Sequence, residues 1–273
     1  MPVDSIETCT IYGKEYKLIM ITTPKGLYDF LKTYFIDSKP KVLGIDSEAH
    51  NFKELSLFQL ATKDWLCIID IFLLSKYLSD SDWTIVFQHI FDPTIERIGF
   101  AFQADYNFIQ IAFPHLCTML AEEDRRVLCL STLSKVILED SEAKNIIFSK
   151  LDGNNPLKMY KSNISLADVS KAVLDIKLCK EQQSSNWNWR PLTEEQKIYG
   201  VTDSLIVILI KEKIEADLKN AFGDEKAAEF MEKAMIYYKM PKKEPKVKNR
   251  PQIRISQEVV AVGDNSIVED QEN

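Results

Sequence analysis

Histidine is almost absent from this chain. His50, His89 and His115 are the only three in 273 residues, and they are too scattered to build a histidine-based metal centre. Cysteine supplies no substitute. Cys9, Cys67, Cys117, Cys129 and Cys179 are odd in number and never fall in a Cys-x-x-Cys spacing. That usage reads as buried free thiols in a reducing compartment, favoured strongly over a disulfide framework or a zinc site. No apolar run approaches the ~20 residues needed to span a bilayer, so no membrane partner is expected. The opening residues, MPVDSIETCTIYGKEYK, contain no basic segment followed by an apolar one. A secretory signal is therefore not expected, and the chain is read as intracellular, with nucleus and cytoplasm both open. A positive surplus is also missing, because the formal net charge is −7. Such a balance argues against a large non-specific duplex binder and leaves room for an enzyme gripping a few nucleotides of one strand. There is no internal repeat.

What is present suits a soluble globular protein: 45% hydrophobic and 27% charged residues. The length predicts one folded domain, residues 1–240, followed by a tail at 241–273. That tail is rich in Lys, Arg and Pro, then acidic and polar, a composition that cannot bury a core. Lys242, Lys243, Lys246, Lys248 and Arg250 read as a solvated linker, with a nuclear-import signal or an RNA-touching strip as alternatives.

Hydrophobic patterning predicts an α/β fold. Strands are expected at 16–22, 41–47, 55–61, 65–71, 96–102 and 126–130, the third and fourth joined as a hairpin by Thr62-Lys63-Asp64. Helices are expected from Pro24, over much of 73–90, from Gln103, after Leu130, over 165–176 and over roughly 224–238. The strongest helix signal is 192–218, with Thr193 and Gln196 as a capping box. Between 139 and 163 the pattern loosens into an irregular insertion with room for a short helix and a DGNNP turn.

Three islands carry the chemistry. Asp46 and Glu48 stand two apart at the end of the apolar run VLGIDSE, where strand alternation puts both carboxylates on one face. Asp105 follows the strand in RIGFAFQADYNFI, at a strand-to-helix turn. Tyr199 and Asp203 stand four apart in LTEEQKIYGVTDS, where helical spacing puts them on one face. Singly, each has an ordinary structural reading: solvated strand-end residues, a helix cap, a hydrogen-bonded pair. Together they read as an oxygen-only cage. Burying like charges is costly unless cations neutralise them, and oxygen donors favour Mg²⁺ or Mn²⁺. Two such ions ~3.5–4 Å apart can activate a water and stabilise a departing oxyanion at phosphorus. A neutral tyrosine, with its ordinary pKa of about 10, orients that water rather than taking its proton.

In order and spacing these islands resemble the three exonuclease motifs of the DEDD superfamily of 3′–5′ exonucleases. Tyr199, four before Asp203, resembles the DEDDy branch; the DEDDh branch would carry histidine at position 198, which is Ile198. LSLFQLAT with LCIIDI resembles the hairpin after the first motif. SLADVSKAVLDIKLCKEQQSSNWNWRPLTEEQKIYGVTDS resembles the approach to the third motif in RNase D, Nibbler-type and Werner-type exonucleases. The likeness covers roughly residues 16–217. It implies an RNase H-like mixed sheet of five or six strands flanked by helices. It also implies roles: Asp46 bridges two metals, Glu48 and Asp203 complete the first site, Asp105 helps hold the second, and Tyr199 orients the nucleophilic water. Lys180, Ser185, Asn186, Trp187 and Arg190 match the approach segment. Of these, Lys180, Asn186 and Arg190 are the substrate-contact candidates. Trp187 reads as core before base-stacking platform, and Arg190 divides evenly between a phosphate contact and a structural ion pair.

The departures are small. Motif one reads DSE where DTE is commoner, and motif three reads YGVTDS where YAAxDA is commoner, so no carboxylate is lost. Gly200 loosens its helix by ~1 kcal/mol relative to alanine. The expected activity is metal-dependent removal of nucleoside 5′-monophosphates from a single-stranded 3′ end. RNA is favoured over DNA because RPL in NWNWRPLTEEQ is closer to RNase D and Nibbler-type enzymes. A non-catalytic nucleic-acid-binding or scaffold protein retaining the fold is the alternative.

Overall fold

A computed structural model describes residues 4–51, 54–149 and 164–239. The chain begins with a hairpin, β1 (Ser5–Ile11) and β2 (Lys14–Ile21). Helix α1 (Pro24–Leu31) follows and runs on into a π-helical turn, Lys32–Ile36. Then come β3 (Val42–His50), β4 (Glu54–Ala61) and β5 (Trp65–Asp70). Helices α2 (Ile71–Leu74) and α3 (Asp80–Ile90) lead to β6 (Glu96–Gly99), α4 (Gln103–Ala112), α5 (Cys117–Leu120) and β7 (Val127–Cys129). The C-terminal part is helical: α6 (Leu130–Glu139), α7 (Ser141–Ile147), α8 (Leu166–Leu174), α9 (Glu194–Phe222) and α10 (Asp224–Lys233). The two-residue strand β8 (Met235–Ile236) comes last.

The strands form one mixed sheet in the order β1-β2-β5-β4-β3-β6-β7-β8. Neighbours are antiparallel at β1–β2, β5–β4, β4–β3 and β7–β8, and parallel at β2–β5, β3–β6 and β6–β7. Eight strands exceed the five or six that the family resemblance implied. Both additions lie at the edges, where pairing with a neighbour rather than a strong apolar run makes the strand. β1 is half-exposed, and β8 has two residues.

The β1–β2 hairpin closes through Tyr12 and Gly13, both at positive φ, 50° and 78°, since Ile11 pairs with Lys14. Two left-handed residues make the type I′ turn that matches strand twist. Glycine takes that conformation freely, whereas a tyrosine there costs about 1–2 kcal/mol.

The helix expected over 73–90 is divided. Ser79 starts a fresh helix with a capping box to Asp82, so the chain turns between α2 and α3. The capping box of Thr193 and Gln196 forms as the sequence indicates, and α9 runs unbroken through Gly200 for 29 residues. Part of the 139–163 stretch is regular, with α7 capped by the Asp140 carboxylate. The DGNNP turn at 152–156 and the charged tail at 241–273 lie outside the described residues.

Residues of β3 alternate between two cores. Leu43 and Ile45 face a cluster rich in aromatics from α1, α3 and α4. On the other face, Gly44 lies under α9: a Cβ at position 44 would stand 1.9 Å from the Ser204 carbonyl oxygen. That contact lays the helix against the strand, with Asp46 and Glu48 two and four residues further along the same face.

Four cysteines are buried as expected, but Cys179 is exposed. It sits on the irregular segment between α8 and α9, next to the buried Leu178.

Candidate active site

The sheet and two helices bring the three islands together. Asp46 and Glu48 end the buried half of β3, beyond its last pairing with β6 at Gly44. Asp105 lies in the first turn of α4 and is 6% exposed. Tyr199 and Asp203 stand one turn apart on α9.

The electrostatics record this convergence. Burial pushes Asp46 well above the ordinary carboxylate range, and the charges of Asp105, Asp203 and Glu48 push it further. Glu48 is pushed to about 9 by burial, then by Asp203 and Asp105. Burial raises Asp105 to about 7, against the hydrogen bond from Ser47. Burial likewise raises Asp203 to about 7, against a hydrogen bond from Tyr199 and the charge of Lys180. Burial and the neighbouring carboxylates raise the Tyr199 phenol as well, so it keeps its proton and hydrogen-bonds through it to Asp203. Among the described residues, none of these four carboxylates has a salt-bridge partner.

Such a set is short of positive charge. A second sign is Gln59, the cross-strand neighbour of Asp46. It is fully buried against Gly200, and neither of its amide atoms has a hydrogen-bond partner among the described residues. Oxygen donors, buried like charges and an orphaned amide beside them fit hard divalent cations. The side chains are nonetheless spread: among the described residues no group of three His, Cys, Asp or Glu is gathered tightly enough to hold an ion. Mutual repulsion of carboxylates is a sufficient physical reason for that spread.

The substrate-contact candidates divide. Lys180 is exposed and close enough to Asp203 for its charge to be felt there. Asn186 is built into its own loop, its side-chain oxygen accepting from the Asn188 backbone at 3.1 Å and its carbonyl accepting from Gln196. Arg190 is committed to the fold. Nε and Nη2 both donate to Asp70, whose side chain is fully buried, and Nη1 donates to the carbonyls of Trp187 and Trp189 at 2.6 and 2.7 Å. The even choice for Arg190 thus resolves toward the ion pair, because the buried Asp70 requires a partner. Trp187 is core, 1% exposed, with its ring 6.0 Å from that of Tyr199.

Sequence reading passed over Ser47, whose hydroxyl donates to the Asp105 carboxylate across the elements. A polar residue between two acidic ones on a buried strand end was the available signal. Gln59, polar inside the run LSLFQLA, was another.

A mixed α/β sheet with one long helix laid along its acidic strand defines the RNase H-like fold of DEDD-type nucleases. The chain matches the 3′–5′ exonuclease domain over residues 18–219 and belongs to that family, whose members act on nucleic-acid 3′ ends. It is 25% identical over 194 residues to the exonuclease mut-7 of Caenorhabditis elegans, covering 67% of this chain and 20% of that protein. It is 28% identical over 166 residues to the mut-7 homologue of Aedes aegypti, covering 60% of this chain and 22% of that protein. The chain thus spans about a fifth of the length of these two relatives. Among solved structures it resembles the Nibbler EXO domain of Aedes aegypti, with a TM-score of 0.64 at 24% identity over 78% of this chain and 94% of that one. It also resembles Escherichia coli RNase D, with a TM-score of 0.52 at 18% identity over 80% of this chain and 50% of that one.

Proposed function

We propose that this chain is a DEDDy-type exonuclease that uses Mg²⁺ or Mn²⁺ to remove nucleoside 5′-monophosphates from single-stranded 3′ ends, RNA before DNA. The observation that carries the reading is the convergence of four carboxylates, Asp105 buried and Asp46, Glu48 and Asp203 half-buried, none in a salt bridge among the described residues, around a tyrosine that keeps its proton. Asp46, Glu48, Asp105 and Asp203 would hold two ions. Metal ions held there would supply a lowered pKa for a bound water and positive charge beside the departing oxyanion. The chain's own groups do the rest. Ser47 fixes the Asp105 carboxylate, and Tyr199, anchored on Asp203, orients the incoming water. The water oxygen bonds to phosphorus as hydroxide, the bond to the neighbouring nucleotide's 3′ oxygen breaks, that oxygen takes up the water's proton as the new 3′ hydroxyl, and the terminal nucleotide leaves with its 5′ phosphate. Lys180, exposed beside Asp203, is suited to a backbone phosphate. The RNA preference is supported by the NWNWRPLTEEQ segment.

The test is a denaturing-gel time course of 5′-labelled single-stranded RNA and matched DNA. It includes Mg²⁺, Mn²⁺ and EDTA arms and the Asp46→Asn variant. A metal-dependent ladder that shortens from the 3′ end and is lost in the variant is expected. Faster trimming of DNA would overturn the substrate preference.

A second reading, a nucleic-acid-binding protein that has lost catalysis, draws on the spread of the carboxylates. Intact RNA and DNA in every lane, with retained binding, would favour it.

A further inference from the structure

We propose that a cleft between the N-terminal hairpin, the 177–182 segment and α9 seats the terminal nucleoside of the strand, with the Tyr12 ring stacked on its base. This inference rests on the nuclease reading of the site. The cleft has a volume of about 490 Å³, within the roughly 300–1,000 Å³ of small-ligand sites. Tyr199 and Asp203 form one wall, so the cleft opens directly onto the acidic cluster. Ile11, Leu178 and Ile198 make the remaining walls largely apolar.

Charge selects the occupant. Glu181, Glu194, Glu195 and Asp203 line the cleft against a single lysine, Lys177. A nucleic-acid backbone, with a phosphate at every step, would be repelled along such a path. The end nucleoside is different. Its one phosphate is the one under attack, which lies outside the cleft at the carboxylates, and the rest of it is neutral. In a 3′–5′ exonuclease that nucleoside is the 3′-terminal one.

Tyr12 supplies the second, independent observation. It occupies a turn position that favours Asn, Asp or Gly, at φ 50°, and is 47% exposed. Among the described residues its hydroxyl makes no hydrogen bond and its ring touches no other aromatic ring. Nothing in the folding of the hairpin explains a tyrosine there, and strain at an exposed position points to function. The ring lines the cleft, and the charge of Asp203 adds to burial in raising its phenol to about 12. The hairpin is held to α9 by the pair Lys197–Glu7, at 3.3 Å. Residue 12 also precedes the stretch matched by the family, 18–219. Stacking on an aromatic ring is indifferent to base identity, as an enzyme trimming every nucleotide requires.

Cys179 provides a direct probe. It lines the cleft and is the exposed cysteine, while the other four are buried. The experiment uses the full chain, Mg²⁺ and a short single-stranded RNA with a phosphorothioate terminal linkage. It measures the rate of Cys179 alkylation by N-ethylmaleimide with and without the RNA, and steady-state kinetics on the unmodified strand for wild type, Tyr12→Phe and Tyr12→Asn. The RNA should slow alkylation at least fivefold. Tyr12→Asn, which relieves the turn and so keeps the fold, should raise KM at least fivefold with kcat within a factor of three; Tyr12→Phe should match wild type. If wild type cleaves but neither KM nor alkylation responds, the seat is wrong and the nuclease reading stands. If no strand is cleaved yet RNA protects Cys179, the seat stands and the nuclease reading falls. If there is neither cleavage nor protection, both fall.

Discussion

Both faces of the sheet are apolar cores, and they differ in one patch. On one, Leu43, Ile45, Phe58, Leu60, Cys67 and Ile69 meet a network of aromatic rings. Phe58 and Phe87 lie 5.5 Å apart, Trp83 and Phe113 4.8 Å, and Phe102 and Tyr106 4.9 Å, in the tilted and edge-on arrangements that rings prefer. On the other face the same strands carry Gly44, Asp46, Glu48 and Gln59 beneath α9. On the aromatic face the buried Arg97 guanidinium is met by the carbonyls of Asp92, Asp124 and Arg126, whereas the α9 face holds, within its own apolar packing, carboxylates whose burial works against folding. A rigid apolar face can hold an acidic patch in place, and substitutions on the two should separate stability from activity.

The largest effect is expected at Asp46. Asp46→Asn removes one buried like charge and should leave the metal-free melting temperature unchanged or higher. Its single-turnover cleavage rate should fall by about a thousandfold, since a mishandled metal site forfeits several kcal/mol. A variant that melts early and cleaves normally would invert the comparison. Phe87→Ala, on the aromatic face, should do the reverse, losing about 3–5 kcal/mol in urea unfolding while its folded fraction keeps the wild-type kcat. Arg190→Ala tests a residue that could belong to either class. Stranding the buried Asp70 should cost about 3–5 kcal/mol; a raised KM with unchanged unfolding would instead return Arg190 to the phosphate-contact reading.

The smallest effect is in pH dependence. Below about pH 3 the acidic cluster is protonated in both folded and unfolded chains. As pH rises, the unfolded chain ionises first, because Asp105 and Asp203 are raised to about 7 and Glu48 to about 9 in the fold. Raised carboxylates therefore withdraw stability with increasing pH. The metal-free protein should melt progressively lower between pH 5 and 9, and Mg²⁺ should restore more at the alkaline end. Scanning calorimetry with and without the cation checks the sign.

The parts of this molecule legible in the sequence are those with local causes. Apolar runs announce β3, β4 and β5, and the short Thr62–Asp64 link announces their hairpin, because burial and turn chemistry act within a few residues. Thr193 and Gln196 announce the start of α9 for the same reason. The acidic islands were legible because strand and helix periods fix which side chains share a face. What escaped depends on distant partners. β1 and β8 exist because a neighbouring strand pairs with them. Arg190 is decided by Asp70, 120 residues earlier. Ser47 meets Asp105 across 58 residues. Tyr12 looks like an ordinary strand residue until the register makes it a turn.

Gly44 has a consequence for anyone surveying variants of this protein. Any side chain there would intrude on the Ser204 carbonyl, and Ser204 follows Asp203 directly. The gap between two of the acidic motifs is thus gauged by an atom that is missing. In a saturation screen scored on trimming, position 44 should cluster with the acids rather than with the packing residues, although it carries no functional group at all.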